Sequence, residues 1–165
     1  MLFRSLQSEP GSAAWDRYIV REGKGADRET PPNNWRSVFH GRGWSHIRTP
    51  DGTPTGYWYL HLFDTTQPDL NWDNDEVRAE FRDILRFWFD RGVDGFRIDV
   101  AHGLVKEDGL PDYRYPAEDE PMQPEMFDVD DVAHAPFWDQ DGVHDIYREW
   151  RSVADEYAEP RIFCG

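Results

Sequence analysis

The spacing of hydrophobic positions changes character near Asn74. From Val77 onward, Phe81, Ile84, Leu85 and Trp88 fall at i+4, i+7, i+8 and i+11, one face of an amphipathic helix. Its ends are marked: Asn74 suits an N-cap, Asp75 and Glu76 put negative charge in the first turn, and Gly92 stands where a C′ residue takes positive φ. The next segment, Val93 to Val100, alternates, with Phe96, Ile98 and Val100 on one side and Arg97 and Asp99 on the other. That predicts a buried strand carrying charge on one face. A second stripe of Val143, Ile146, Tyr147, Trp150, Val153, Ala154 and Tyr157 predicts a helix over about Gly142 to Tyr157. Glu159-Pro160 stops it, and Arg161 to Cys164 opens another strand, with Cys164 expected to be a small buried residue within it. Helix, strand, long connection, helix, strand is the rhythm of a parallel α/β sheet, in which active sites gather at the C-terminal strand ends.

The first half reads differently. Turn-forming clusters at Glu9-Pro10-Gly11-Ser12, Glu22-Gly23-Lys24-Gly25, Thr30 to Asn34 and Thr49 to Pro54 interrupt any sustained period. Loops with short strands are expected, over Trp15 to Arg21 and Tyr57 to Phe63. The connection from about Ala101 to Asp141 far exceeds the roughly 2 to 6 residues usual between strand and helix. Loops that long at this edge of a parallel sheet line binding sites. Two strands cannot bury a parallel sheet, and the sequence stops at Gly165 as the second emerges. An internal fragment is therefore expected, with apolar faces that would leave the isolated chain aggregation-prone or molten.

Composition narrows the classes. With 18 basic and 33 acidic side chains, the formal charge of −15 argues against nucleic acid or an anionic membrane surface as partner. Aromatic residues make up 15% of the chain, too many for a disordered acidic tail. No segment has the apolar run of a signal h-region or a membrane span, so a cytoplasmic setting is the expectation. The one cysteine, Cys164, forms no internal disulfide, and no Cys/His cluster suits zinc. No cofactor is implied, and oligomeric state is left open.

Chemistry concentrates on the strand. Arg97 and Asp99, two apart, project to one side at its C-terminal end, where the guanidinium can fix the carboxylate as an ionised nucleophile. A structural ion pair is the competing reading, and spacing does not decide. Asp69, Asn71, Asp73, Asp75 and Glu80 follow a calcium-loop spacing, but Asn74 occupies the place where the turn wants Gly. Helix capping is the preferred account there. The acidic residues Glu118 to Glu120 and Asp128 to Asp131 read as solvated loop charges.

Gly95-Phe96-Arg97-Ile98-Asp99-Val100 resembles the nucleophile-bearing region of the α-amylase superfamily, glycoside hydrolase family thirteen. Pro32-Asn33-Asn34-Trp35, Tyr59-Leu60-His61-Leu62-Phe63 and Gln67-Pro68-Asp69-Leu70-Asn71-Trp72 agree in order, and the set is similar to the oligo-1,6-glucosidase and α-glucosidase subfamily. The resemblance implies a partial (β/α)8 barrel around strands 3 to 5, residues 64 to 165, truncated before the general acid. Residues 1 to 63 would be mostly an inserted, loop-rich B domain.

It also implies roles. Asp99 would be the nucleophile of a retaining enzyme and Arg97 would orient it. The acid, a Glu, would be the residue after Gly165, so the chain alone should be inactive. Phe39 and Phe63 would wall the sugar site, with ordinary core as the competing reading for both, and Gln67 would reach toward that sugar. Val100 goes with α-1,6 cleavage in the family, but the following Ala101-His102-Gly103-Leu104 departs from the usual pattern and leaves α-1,4 cleavage or glucosyl transfer open. His102 would contact an acceptor sugar unless it is simply solvated. The substrate expected is a small oligosaccharide or disaccharide. A sucrose- or trehalose-isomerising relative and a non-catalytic sugar-binding remnant are the alternatives.

Overall fold

A computed structural model describes residues 5–6, 8–115 and 135–165, so the acidic residues at 118–120 and 128–131 lie outside the described residues. The chain divides into two compact units. One gathers Met1–Asn71 with the segment that opens at Asp108, and the other gathers Trp72–Glu107 with the segment that closes at Gly165.

In the first unit β1 (Val20–Glu22), β2 (Trp44–Arg48) and β3 (Pro54–Leu60) form an antiparallel sheet in the order β1-β3-β2. The strand expected over Trp15 to Arg21 is mostly turn: the Asp16 and Tyr18 amides donate to the Ser12 and Trp15 carbonyls, and continuous pairing with β3 begins at Val20. Trp15 instead packs with Val20 and Ile47 against Tyr18, Tyr57 and Tyr59. β3 starts earlier than Tyr57 and ends at Leu60, with Gly56, Trp58 and Leu60 buried on its inner face. β2 carries no clean alternation and a register shift between His46 and Arg48, so its pairing with β3, rather than its own pattern, makes it a strand. In the β2–β3 turn, Asp51 Oδ1 accepts from Thr49 Oγ1 at 2.5 Å and from the Thr53 amide at 3.0 Å, and Gly52 supplies the positive φ of 88°.

A polar clasp closes this unit. The Asn33 Oδ1 atom accepts from the Trp35 amide at 3.0 Å and from Trp44 Nε1 at 2.6 Å, while Nδ2 donates to the Leu110 carbonyl at 3.0 Å. Trp35 Nε1 donates to the Pro111 carbonyl at 2.7 Å, and Asn34 exchanges hydrogen bonds of 2.7 and 2.8 Å with the Tyr113 backbone. Residues 110–113, part of the long connection in sequence, thus behave as an extra edge held by side chains.

The second unit is a βα assembly. α1 (Asp75–Phe89) begins as expected: the Asn74 side chain accepts from the Glu76 amide. Its buried stripe differs, however, running Val77, Leu85, Phe89, while Ile84 and Trp88 are exposed. The cause is Phe89, 1% exposed, which turns inward to meet the rings of Phe96, Tyr157 and Phe163 at 5.5, 5.2 and 6.1 Å. β4 (Gly95–Arg97) and β5 (Ile162–Cys164) pair in parallel, with Phe96 opposite Phe163 and Arg97 opposite Cys164. A Cβ on Gly95 would lie 2.2 Å from the Ile162 carbonyl oxygen, so only glycine allows this approach. β4 is shorter than Val93 to Val100 and only half buried, because among the described residues it pairs with β5 alone. For the same reason Cys164, expected to be buried, is exposed.

α2 (Gly142–Ala154) buries Val143, Ile146, Trp150 and Val153. Tyr157 lies beyond its end, donating from its hydroxyl to Asp90 Oδ1 at 2.8 Å. Glu149 of α2 accepts from Arg78 and Arg82 of α1 at 2.5 and 2.6 Å, and Glu156 takes a two-pronged contact from Arg86.

Candidate active site

The residues with candidate chemistry fall into two groups, one in each unit. In the second unit Arg97 ends β4, and Asp99 follows in a turn. Arg97 Nη1 donates to Asp99 Oδ1 at 3.0 Å, so the two side chains share a side although the strand has ended between them. The pair is open to solvent, with side chains 71% and 76% exposed, so its value is directional rather than a large stabilisation.

Val100 has left-handed backbone, φ 51° and ψ 45°, a strained choice for a β-branched residue costing of order 1–3 kcal/mol. The surroundings hold it there. A single 3-10 turn, Ala101–Gly103, follows, and the Tyr147 hydroxyl donates to the Ala101 carbonyl while the buried Lys106 Nζ donates to the Gly103 carbonyl. Trp138 fills the space beside Gly103, where a Cβ would meet its ring at 2.5 Å. His102 is half-buried, its ring 4.8 Å from that of Trp138, and its amide neighbour across the turn is Asp139, which donates to the His102 carbonyl at 2.8 Å. Burial lowers the His102 pKa, Asp139 opposes that shift and Lys106 reinforces it, so the ring favours its neutral form.

In the first unit a tight hairpin, with Arg36 bridged to Arg42, carries Phe39 near its tip. His40 and Gly41 both take positive φ, 74° and 82°, to close it. Phe39 is 62% exposed, so it is no core residue, and its ring meets that of the half-buried Phe63 edge-on at 5.6 Å. The two rings line a pocket of about 410 Å³ together with Arg42, Trp44, His61 and Asp64. The Thr66 hydroxyl and amide hold the Asp64 carboxyl below the usual carboxylate range. Gln67 is exposed and folded back on the Asp64 turn, donating from its amide to the Asp64 carbonyl at 2.8 Å. Sequence reasoning missed Ser37, Ser45, Lys106 and Trp138, and gave no role to His61. No local pattern marks the first three, although His61 stands inside a quoted motif.

Among the described residues no three His, Cys, Asp or Glu side chains gather as a metal site. No helix of the described residues is long and apolar enough to cross a membrane.

The family model described as Alpha amylase, catalytic domain, matches residues 1–165. An oligo-1,6-glucosidase of Heyndrickxia coagulans is 49% identical over 87 residues, 53% of this chain and 15% of that protein. A probable oligo-1,6-glucosidase of Bacillus subtilis is 37% identical over 148 residues, 89% of this chain and 24% of that protein. Among solved structures, the α-glucosyl transfer enzyme XgtA superposes with a TM-score of 0.79 at 29% identity, covering 98% of this chain and 29% of the other. The chain therefore spans about a sixth to a quarter of the length of these curated relatives.

Proposed function

Because the chain belongs to the α-amylase catalytic-domain family, a TIM-barrel-type fold, we propose that it is part of a retaining α-glucosidase acting on short α-glucosides. The Arg97–Asp99 contact at the C-terminal end of a parallel strand carries the reading. Asp99 attacks the anomeric carbon, the glycosidic bond breaks, and a covalent glucosyl-enzyme forms. A second carboxyl about 5 to 5.5 Å away protonates the departing oxygen and later takes a proton from the attacking water. The β4–β5 register supports where to look for it. Arg97 lies opposite Cys164, so the position opposite Asp99 is the residue after Gly165, on a neighbouring strand about 4.8 Å away. A Glu is proposed there.

Arg97 orients the nucleophile. Phe39 and Phe63 stack on the apolar face of the sugar, and Gln67 bonds its hydroxyls. Val100 favours α-1,6 linkages, with α-1,4 cleavage alongside, and His102 meets the acceptor sugar. In the barrel this chain supplies the region around strands 3 to 5 from residues 64 to 165, with residues 1 to 63 mostly an inserted domain.

The test is the full-length parent. Asp99→Asn should cost at least about 10⁴-fold in kcat, and the Asp99 peptide of the native enzyme should gain one glucosyl mass on rapid quench. Turnover that survives the substitution overturns the reading. A glucosyl-transferring parent is the second reading, favoured by the likeness to XgtA. Hydrolysis turns maltose and isomaltose into free glucose alone, transfer releases glucose but also builds longer oligosaccharides, and isomerisation conserves the disaccharide.

A further inference from the structure

The geometry points to Ser37 as a positioning residue that locks the two aromatic side chains of the pocket into one unit; this rests on their proposed role as a sugar-binding wall. Ser37 is 5% exposed, and its hydroxyl sits between the two backbones. Its Oγ accepts from the Phe39 amide at 3.1 Å and donates to the Phe63 carbonyl at 2.7 Å. One hydroxyl thus joins residues on two separate segments whose rings meet edge-on.

The second acceptor direction of the Phe63 carbonyl is also taken. His61, 3% exposed, has Nδ1 3.3 Å from that oxygen and Nε2 2.9 Å from Ser45 Oγ. The carbonyl can only accept, so Nδ1 carries a proton and donates to it, while Nε2 pairs with the Ser45 hydroxyl. A buried imidazole therefore buttresses Phe63 from one side while Ser37 ties it to Phe39 from the other. The neighbouring Val38 amide, donating to the Leu62 carbonyl at 2.8 Å, shows the same two segments already aligned by backbone. The hydroxyl is what extends that alignment to the rings.

Losing one neutral hydrogen bond of this kind changes an equilibrium by about 3- to 10-fold. Ser37→Ala in the full-length parent should raise KM for its glucoside by that factor and leave kcat within about twofold, because Asp99 chemistry does not pass through the hydroxyl. Ser37→Thr, which keeps the hydroxyl, should restore KM. Amide hydrogen exchange supplies an independent readout: the Phe39 amide should be protected in the native and Thr enzymes and exchange faster in the Ala enzyme. Unchanged Phe39 exchange in Ser37→Ala overturns the bridge itself. Faster exchange with unchanged KM overturns the aromatic wall as a sugar contact and leaves the bridge standing. Parallel losses in kcat and KM that Thr does not rescue reduce Ser37 to a folding role and overturn the proposal. Failure of the glucosidase reading is seen separately, as turnover that survives Asp99→Asn.

Discussion

The two compact units are stabilised by different means. Of the four polar or charged residues buried among the described residues, Asn33, Ser37 and His61 lie in the first unit and only Lys106 in the second. The first unit has little regular structure, so its backbone groups are satisfied by side chains reaching across it, with Asn33, Asn34 and Trp35 serving residues 110–113. The second satisfies most of its backbone within helices and a parallel pair, leaves the Ala101–Gly103 turn to Tyr147 and Lys106, and devotes its other side chains largely to aromatic packing around Phe89 and Trp150 and to ion pairs on the helix surfaces. In the first unit a deleted polar group leaves buried partners unsatisfied. In the second a deleted ring leaves a cavity.

That contrast sets the order of effects. Phe89→Ala should destabilise most, by about 3–5 kcal/mol, because three rings lose their common neighbour; urea unfolding followed by tryptophan fluorescence reads the shift. A loss under about 1 kcal/mol would show that the second unit does not depend on this cluster. Asn33→Ala should cost about 2–3 kcal/mol by leaving two buried donors and one carbonyl without partners, and hydrogen exchange should localise the loss to residues 110–113. Uniform loosening of the whole unit would instead make the clasp one support among many.

The smallest effects are those of exposed carboxylates, and here the units differ in salt dependence. Asp51 is held down to about 2 by the Thr49 hydroxyl and the Thr53 amide, neutral donors, whereas Glu156 is lowered by the Arg86 guanidinium. Both folded pKa values lie below the unfolded ones, so each contribution is complete above the ordinary carboxylate range and is lost as pH falls through the folded value. In a carbon-detected NMR titration, 1 M salt should move the Glu156 midpoint upward and leave that of Asp51 near 2. Equal salt sensitivity would remove this distinction between the units.

How much of this was legible depended on whether the determinants were local. α1 showed its cap and its helical character within one stretch, and the Arg97–Asp99 contact matched a spacing of two although the strand ends at Arg97. β2 was invisible because its partner, not its pattern, makes it a strand, and the buried stripe of α1 was misplaced because Phe89 answers to Phe96 and Phe163. The 110–113 edge could not be read from sequence at all, since its bonds run to side chains far up the chain. Phe39 and Phe63 were singled out only by resemblance, and Ser37 between them carried no signal, because a serine's value there comes from two backbone groups on different segments.

The clasp also has a temporal side. Asn33 and its Leu110 acceptor are 77 residues apart. At a ribosomal rate of about 5–20 residues per second, roughly 4–15 s separate their synthesis. For that interval the Asn33 carboxamide and the Trp35 indole lack their native acceptors at 110 and 111, and the segment around them waits for residues 110–113. The first unit is thus a late folder during translation, exposed to chaperones until residue 113 clears the tunnel, while α1 can coil as soon as it emerges.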